Sequence, residues 1–133
     1  MNVDGTPYRT IWLADDGWAV EIIDQTRLPF DFVTRRLENV SDAAQSIADM
    51  WVRGAPLIGA TAAYGMALAM HADPSDAGLV TAYDTLLATR PTAVNLRWAL
   101  DEMKTLLAPL SANQRAEAAY KRAADIADED VAI

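Results

Sequence analysis

Two short runs carry residue types suited to holding a phosphate. Arg53-Gly54-Ala55-Pro56-Leu57-Ile58-Gly59 sets a cation beside a glycine and then opens a helix with proline. Proline suits the first helical turn, where the N–H it lacks would have no partner within the helix. The free N–H groups of that turn, the helix dipole and a guanidinium together suit an anion. Arg90-Pro91-Thr92-Ala93-Val94-Asn95-Leu96-Arg97-Trp98-Ala99-Leu100 repeats the order of arginine, proline and helix start. Residue types alone leave a structural use open at both runs: an arginine closing one helix and a proline break before the next.

The other chemistry-bearing residues read as scaffold. His71 is the single histidine, and no His/Asp/Glu pattern near it has metal-ligand spacing, so a structural or surface role is expected and no metal. Tyr64 sits in an apolar run and reads as core with a satisfied hydroxyl. Thr92 is expected to cap, Asn95 to order the turn and Arg97 to form a surface salt bridge. Met50, Met66, Met70 and Met103 read as core filler. The chain has no cysteine, which excludes disulfides, thiolate metal sites and a cysteine nucleophile within it.

These residues need elements to position them. Residues 8–13 and 18–23 are rich in aromatic and β-branched types and flank Ala14-Asp15-Asp16-Gly17, which predicts a β-hairpin with an Asp-Gly turn. Asp24 to Phe32 contains Pro29 and reads as a connector, so residues 1–30 form hairpin and connector. From about residue 40 to 133 the chain reads as a bundle of about five helices, giving a mainly α fold in one domain. Ser41 is expected to cap a helix over 42–53, with Ile47, Met50 and Trp51 on its apolar side. Pro56 opens the next, to about His71. Its alanines and glycines leave little side chain on any face, which predicts a central helix with neighbours close to its backbone. Asp73-Pro74-Ser75 breaks the chain before a helix from Asp76 to about Ala88, with Leu79, Tyr83, Leu86 and Leu87 inward. Thr92 would cap a helix to about Leu107, stopped by Pro109. Ser111-x-x-Gln114 matches a capping box for a last helix carrying Ala116, Ala119, Tyr120, Ala123 and Ile126 at helical spacing.

Composition narrows the function classes. At 133 residues and 52% apolar content the chain suits one domain with a modest core. A net charge of −8 argues against non-specific nucleic-acid binding, while a local arginine site remains compatible with it. The N-terminus shows no basic stretch followed by an apolar core, so no secretory signal is read and a cytoplasmic setting is expected. The run Ala55 to Ala72 is long enough to raise a membrane span, but Thr61, Tyr64, a proline and an alanine-rich composition favour a buried helix.

Together the two arginine runs resemble the signatures of the methylthioribose-1-phosphate isomerase family, relatives of the regulatory subunits of the translation initiation factor 2B exchange complex. The resemblance takes in the Trp12/Trp18 region, Arg53 to Ala72, Arg90 to Leu100 and the Glu129-Asp130 ending. It covers the family's N-terminal part, because members are much longer. It implies that Arg53 and Arg90 reach the phosphate of methylthioribose 1-phosphate, with Gly54 and Ala55 lining the site through backbone. The implied reaction turns a ring-locked aldose 1-phosphate into the open-chain ketose 1-phosphate, in methionine salvage. It needs ring opening and hydrogen movement between C1 and C2 by an acid/base pair in a shielded pocket. The family assigns those roles to a cysteine and an aspartate of a later, Rossmann-like domain, and no segment here matches that domain. No catalytic residue and no cofactor are therefore expected in this chain. The expected partners are a sugar phosphate, the protein's own C-terminal domain and a second copy in a homodimer. Asp125, Asp128, Glu129 and Asp130 sit at the unfavourable end of the last helix with no glycine cap, so either a solvated tail or continuation past Ile133 is expected, and the resemblance favours continuation. A non-catalytic regulatory subunit of the initiation-factor kind and a ribose-1,5-bisphosphate isomerase are the alternatives.

Overall fold

The Asp-Gly turn closes a hairpin where the residue pattern places it. The computed structural model describes residues 2–3, 6–7, 11–24, 34–52, 55–90 and 93–131. Strands β1 (Asn2–Val3) and β2 (Thr6–Pro7) form a small antiparallel pair that the sequence pattern did not announce. Strands β3 (Ile11–Leu13) and β4 (Val20–Ile23) pair antiparallel, with Ile11 opposite Ile22 and Leu13 opposite Val20. Residues 8–10 of the expected first strand lie outside the described residues. Between the strands, Gly17 takes φ +85°, a backbone that side chains disfavour. The Asp16 carboxylate accepts from the amides of Trp18 and Ala19 at 3.2 and 3.1 Å, fixing the turn.

A third strand, β5 (Thr34–Leu37), adds to β4 with Glu21 opposite Arg36 and Val20 opposite Leu37. The hairpin is thus one part of a three-stranded antiparallel sheet in the order β3-β4-β5. The chain is otherwise helical: α1 (Val40–Ala48), α2 (Ala55–Ala72), α3 (Asp76–Leu87), α4 (Val94–Leu107) and α5 (Ala112–Val131). The mainly α expectation with about five helices therefore holds, extended by strand β5.

Helix α2 is the axis of the bundle. Every residue from 57 to 70 is buried, and α5, α4, α1 and α3 all pack on it. Its small residues allow this. A Cβ on Gly65 would lie 3.0 Å from both the Ala43 Cβ and a Leu86 methyl, tighter than a methyl group tolerates. No helix of the described residues is long and apolar enough to cross a membrane.

Several local expectations change. Asn39, not Ser41, caps α1, accepting from the Asp42 amide at 2.8 Å, and the helix stops at Ala48 rather than 53. Both residue types can cap; the one adjacent to the first helical turn wins. Met50 is 42% exposed with φ 62°, so it is a helix terminator and not core filler, whereas Met66, Met70 and Met103 are buried. The N-cap of α4 is Ala93, with no side-chain cap bond, and Thr92 lies outside the described residues. The Ser111 hydroxyl donates to Asn113 Oδ1 at 2.6 Å instead of closing a capping box with Gln114. Trp98 is 47% exposed and points away from the core that holds Leu96 and Leu100. Ser75 caps α3 as a Ser/Thr/Asp/Asn residue should, accepting from the Gly78 amide at 3.1 Å.

Arg115 is the structural residue that residue patterns miss. It is 4% exposed, at the start of α5. Its guanidinium donates to Leu107 O at 2.9 Å, Ala108 O at 3.0 Å, Pro74 O at 3.0 Å and Asp76 Oδ1 at 2.6 Å. One side chain therefore satisfies the C-terminal carbonyls of α4 and ties them to the turn before α3.

Candidate functional site

Helices α2 and α4 pack together near their N-terminal ends. A Cβ on Gly59, one turn into α2, would lie 3.2 Å from Asn95 O and 3.7 Å from the Ala99 Cβ. Glycine at 59 thus lets the last residue of the first run sit against the backbone of Asn95, midway along the second. The contrast with other helices is chemical. The first turns of α1 and α3 hold Asp42 and Asp76 and carry side-chain caps from Asn39 and Ser75. The first turns of α2 and α4 carry no acidic residue, and α4 has no side-chain cap. The positive end of the helix dipole favours an anion at such a first turn.

Arg90 stands at the approach to α4. Its carbonyl accepts from the Ala93 amide at 3.0 Å, closing the turn that leads into the helix. The side chain is half-buried, and no described carboxylate takes up its guanidinium. Arg53 and Gly54 lie outside the described residues, and Ala55 is the first residue of α2. Tyr64 is 3% exposed, in the core as expected. Arg97 is exposed on the α3 side of α4, beside the Tyr83 hydroxyl, which donates to Asp101 Oδ1. That bond to a carboxylate is the main cause that raises the Tyr83 pKa, since it favours the protonated phenol.

The chain enters the first run from a fixed base. Helix α1 ends in a Schellman motif: the Trp51 amide donates to Ser46 O at 2.9 Å and the Met50 amide to Ile47 O at 3.2 Å, with Met50 in the left-handed region. Val52 is buried. The Arg35 guanidinium lies over the Trp51 ring, 4.1 Å from its centroid, and its Nε donates to Asp24 Oδ2 at 2.6 Å. Asp24 itself is fully buried.

His71 lies at the other end of α2, away from both runs. It stacks on Trp18 at 5.0 Å between ring centroids, and Tyr120 meets it edge-on at 6.4 Å. The Tyr120 hydroxyl donates to Trp18 O, and burial, with a smaller push from Asp16, raises its pKa to about 12. Arg36 covers Trp18 and pairs with Asp16 and Glu38. This cluster pins the hairpin loop to α2 and α5.

Comparison with known proteins follows the two runs. Residues 51–133, more than half of the chain and both runs with it, match the Initiation factor 2 subunit family. The chain belongs to that family. Within the initiation factor 2 subunit family it is similar to the methylthioribose-1-phosphate isomerase of Paramagnetospirillum magneticum, with 69% identity over 99% of this chain and 36% of that protein. Among solved structures it is similar to the 5-methylthioribose 1-phosphate isomerase of Pyrococcus horikoshii OT3, with a TM-score of 0.84 and 36% identity over 92% of this chain and 36% of that one. It is equally similar in fold to the delta subunit of translation initiation factor eIF-2B from A. fulgidus, with a TM-score of 0.84 and 35% identity over 94% of this chain and 38% of that one. The chain therefore spans little more than a third of the length of these family members.

Proposed function

We propose that this chain is the phosphate-binding N-terminal domain of an isomerase that converts 5-methylthioribose 1-phosphate to 5-methylthioribulose 1-phosphate. The observation that carries the reading is the 69% identity, over 99% of this chain, to a named isomerase. The geometry supports it from below. The α4 start is uncapped, Arg90 has no described carboxylate partner, and Gly59 brings the α2 start alongside.

In this reading Arg53 and Arg90 neutralise the dianionic phosphate, and arginine's planar fork takes two oxygens at once. Gly54 and Ala55 contribute backbone N–H groups from the α2 start. Holding the phosphate fixes C1 and C2 for chemistry delivered from outside these residues. Ring opening and hydrogen movement between C1 and C2 need an acid/base pair, and this reading assigns that pair to the length that the relatives carry and this chain does not. The substrate is a sugar phosphate, the assembled protein is a homodimer, and the setting is cytoplasmic.

The test is a chimera in which this chain replaces the matching first third of the Paramagnetospirillum isomerase. The chimera is expected to form the ketose 1-phosphate, and the chain alone is expected to form none. A folded chimera without turnover, beside an active parent enzyme, would show the reading to be wrong. Turnover by the isolated chain would show that the acid/base pair lies within it. Light scattering on the chimera is expected to give a dimer, and a monomer at high concentration overturns the dimer part alone.

A further inference from the structure

Two large hydrophobic residues stand exposed beside Arg90. Val94 opens α4 and is 78% exposed, the highest value among the large hydrophobics of the described residues. Trp98 follows one turn later and is also turned to solvent. Residues four apart share a helix face, so the two side chains form one patch. It lies opposite the buried side of α4, which holds Leu96, Leu100, Met103 and Leu107. Neighbouring helices take the flanks: Tyr83 of α3 bonds Asp101, and Arg122 of α5 bonds Glu102 at 3.3 Å. The polar groups at the edge of the patch are thus already satisfied. An apolar centre with a tryptophan, inside a polar rim, is the anatomy of a protein interface. Single exposed hydrophobics such as Val80 on α3 need no partner. Val94 and Trp98 differ in being adjacent and in their place. The Arg90 carbonyl accepts from the Ala93 amide, which holds Arg90 within one turn of Val94.

We propose that the Val94–Trp98 face of α4 is where the portion of the isomerase that this chain does not span docks; this rests on the function proposed above. The chemistry sets the occupant. C1 of the sugar carries the phosphate ester, and C2 is the next carbon, so a phosphate held by Arg90 puts both reacting atoms close to the α4 start. An acid/base pair must come within hydrogen-bond reach of those atoms. This chain is 36% of the length of the Paramagnetospirillum isomerase, and the function proposed above places that pair in the remaining length. That remainder must therefore close against the α4 start, and the outer side of the first two helical turns is the surface it meets. Burying Val94 and Trp98 there excludes water from the reacting carbons and adds apolar contact to the closure.

The experiment uses the chimera described above, with Trp98→Glu, Trp98→Ser and, as the control on α3, Val80→Glu. Steady-state kinetics and small-angle X-ray scattering are measured on each. Trp98→Glu is expected to lower kcat/KM about 10- to 100-fold, as loss of a central interface residue does. Its radius of gyration is expected to exceed that of the unsubstituted chimera, because the two portions no longer close. Trp98→Ser, which adds no charge near the phosphate, is expected to move both readouts the same way by a smaller amount. Val80→Glu is expected to stay within about twofold in kcat/KM, with the radius unchanged. Parental kcat/KM and radius in both Trp98 variants overturn the docking face and leave the phosphate site standing. Lost activity at an unchanged radius also overturns it, and assigns Trp98 to the substrate pocket instead. A dimer that becomes monomeric with kcat/KM intact overturns it in favour of a second copy on this face. If the unsubstituted chimera is folded but inactive, the function reading fails, and the radius of the Trp98 variants still decides the docking. Should Trp98→Glu fail to fold, Trp98→Ser decides alone.

Discussion

Truncating Arg90 to alanine lowers kcat/KM of the active chimera by about 10- to 150-fold, a loss of about 1.5–3 kcal/mol of transition-state stabilisation, the range for a hydrogen bond to a charged group. The expectation follows from the absence of a described carboxylate beside Arg90 at the open end of α4. A guanidinium already committed to a carboxylate would bind phosphate only after breaking that pair. Arg90→Lys should recover part of the loss, because an ammonium supplies charge without the bidentate fork. Arg97→Ala is the internal control. It is exposed beside the Tyr83 hydroxyl, so its removal should cost about 1 kcal/mol of stability or less and leave kinetics near the parent value. Steady-state kinetics on variants with matched melting curves make the comparison. An Arg90→Ala chimera that folds and keeps parental kcat/KM reduces the second run to helix punctuation.

The second large effect is on stability. Arg115→Met should destabilise the chain by about 2–4 kcal/mol in urea denaturation, because it removes the guanidinium that donates to the carbonyls of Leu107, Ala108 and Pro74 in a mostly buried place, where Leu107 O keeps the Leu110 amide as a second donor. Methionine keeps the volume and the flexible stem, so the loss reports the hydrogen bonds rather than a cavity. Asp76→Asn separates the ion pair from the rest. The Asp76 side chain is 90% exposed, so this change should cost no more than about 1 kcal/mol. If Arg115→Met is neutral, water replaces the guanidinium at all three carbonyls and the residue is not a brace.

Where the sequence spoke locally, it was legible. The Asp-Gly turn gave the hairpin, Pro56 and Pro109 gave helix limits, and the alanine-glycine run of α2 gave a central helix. The two candidate runs could be read for the same reason, since arginine-proline-helix runs are local signals; that their helices meet could not, because the contact depends on one glycine facing one carbonyl, Gly59 and Asn95 O. Strand β5 was missed because Thr34-Arg35-Arg36-Leu37 shows no apolar alternation. Its arginines are placed by partners elsewhere in the chain: Asp24 and Trp51 for Arg35, and Asp16, Glu38 and Trp18 for Arg36. Arg115 was missed likewise. On α5 it reads as a surface cation, and only the folded positions of three distant carbonyls draw it inside. The α1 cap slipped by two residues because Asn39 and Ser41 compete within one turn.

The burial of α2 on all sides bears on how the chain is made. Residues 55–72 leave the ribosome as one apolar stretch, and their most extensive partner, α5, ends at Val131. Some 60 residues must follow before α2 is enclosed, which at ordinary synthesis rates of about 5–20 residues per second is roughly 3–12 s of exposure. During that interval the helix has only α1, and then α3 and α4, to shelter it. An early unit of α1, α2 and α3 that shields the alanine face is what would keep the nascent chain from aggregating. Truncations that end before α5 should therefore be the ones that cells hold on chaperones or degrade.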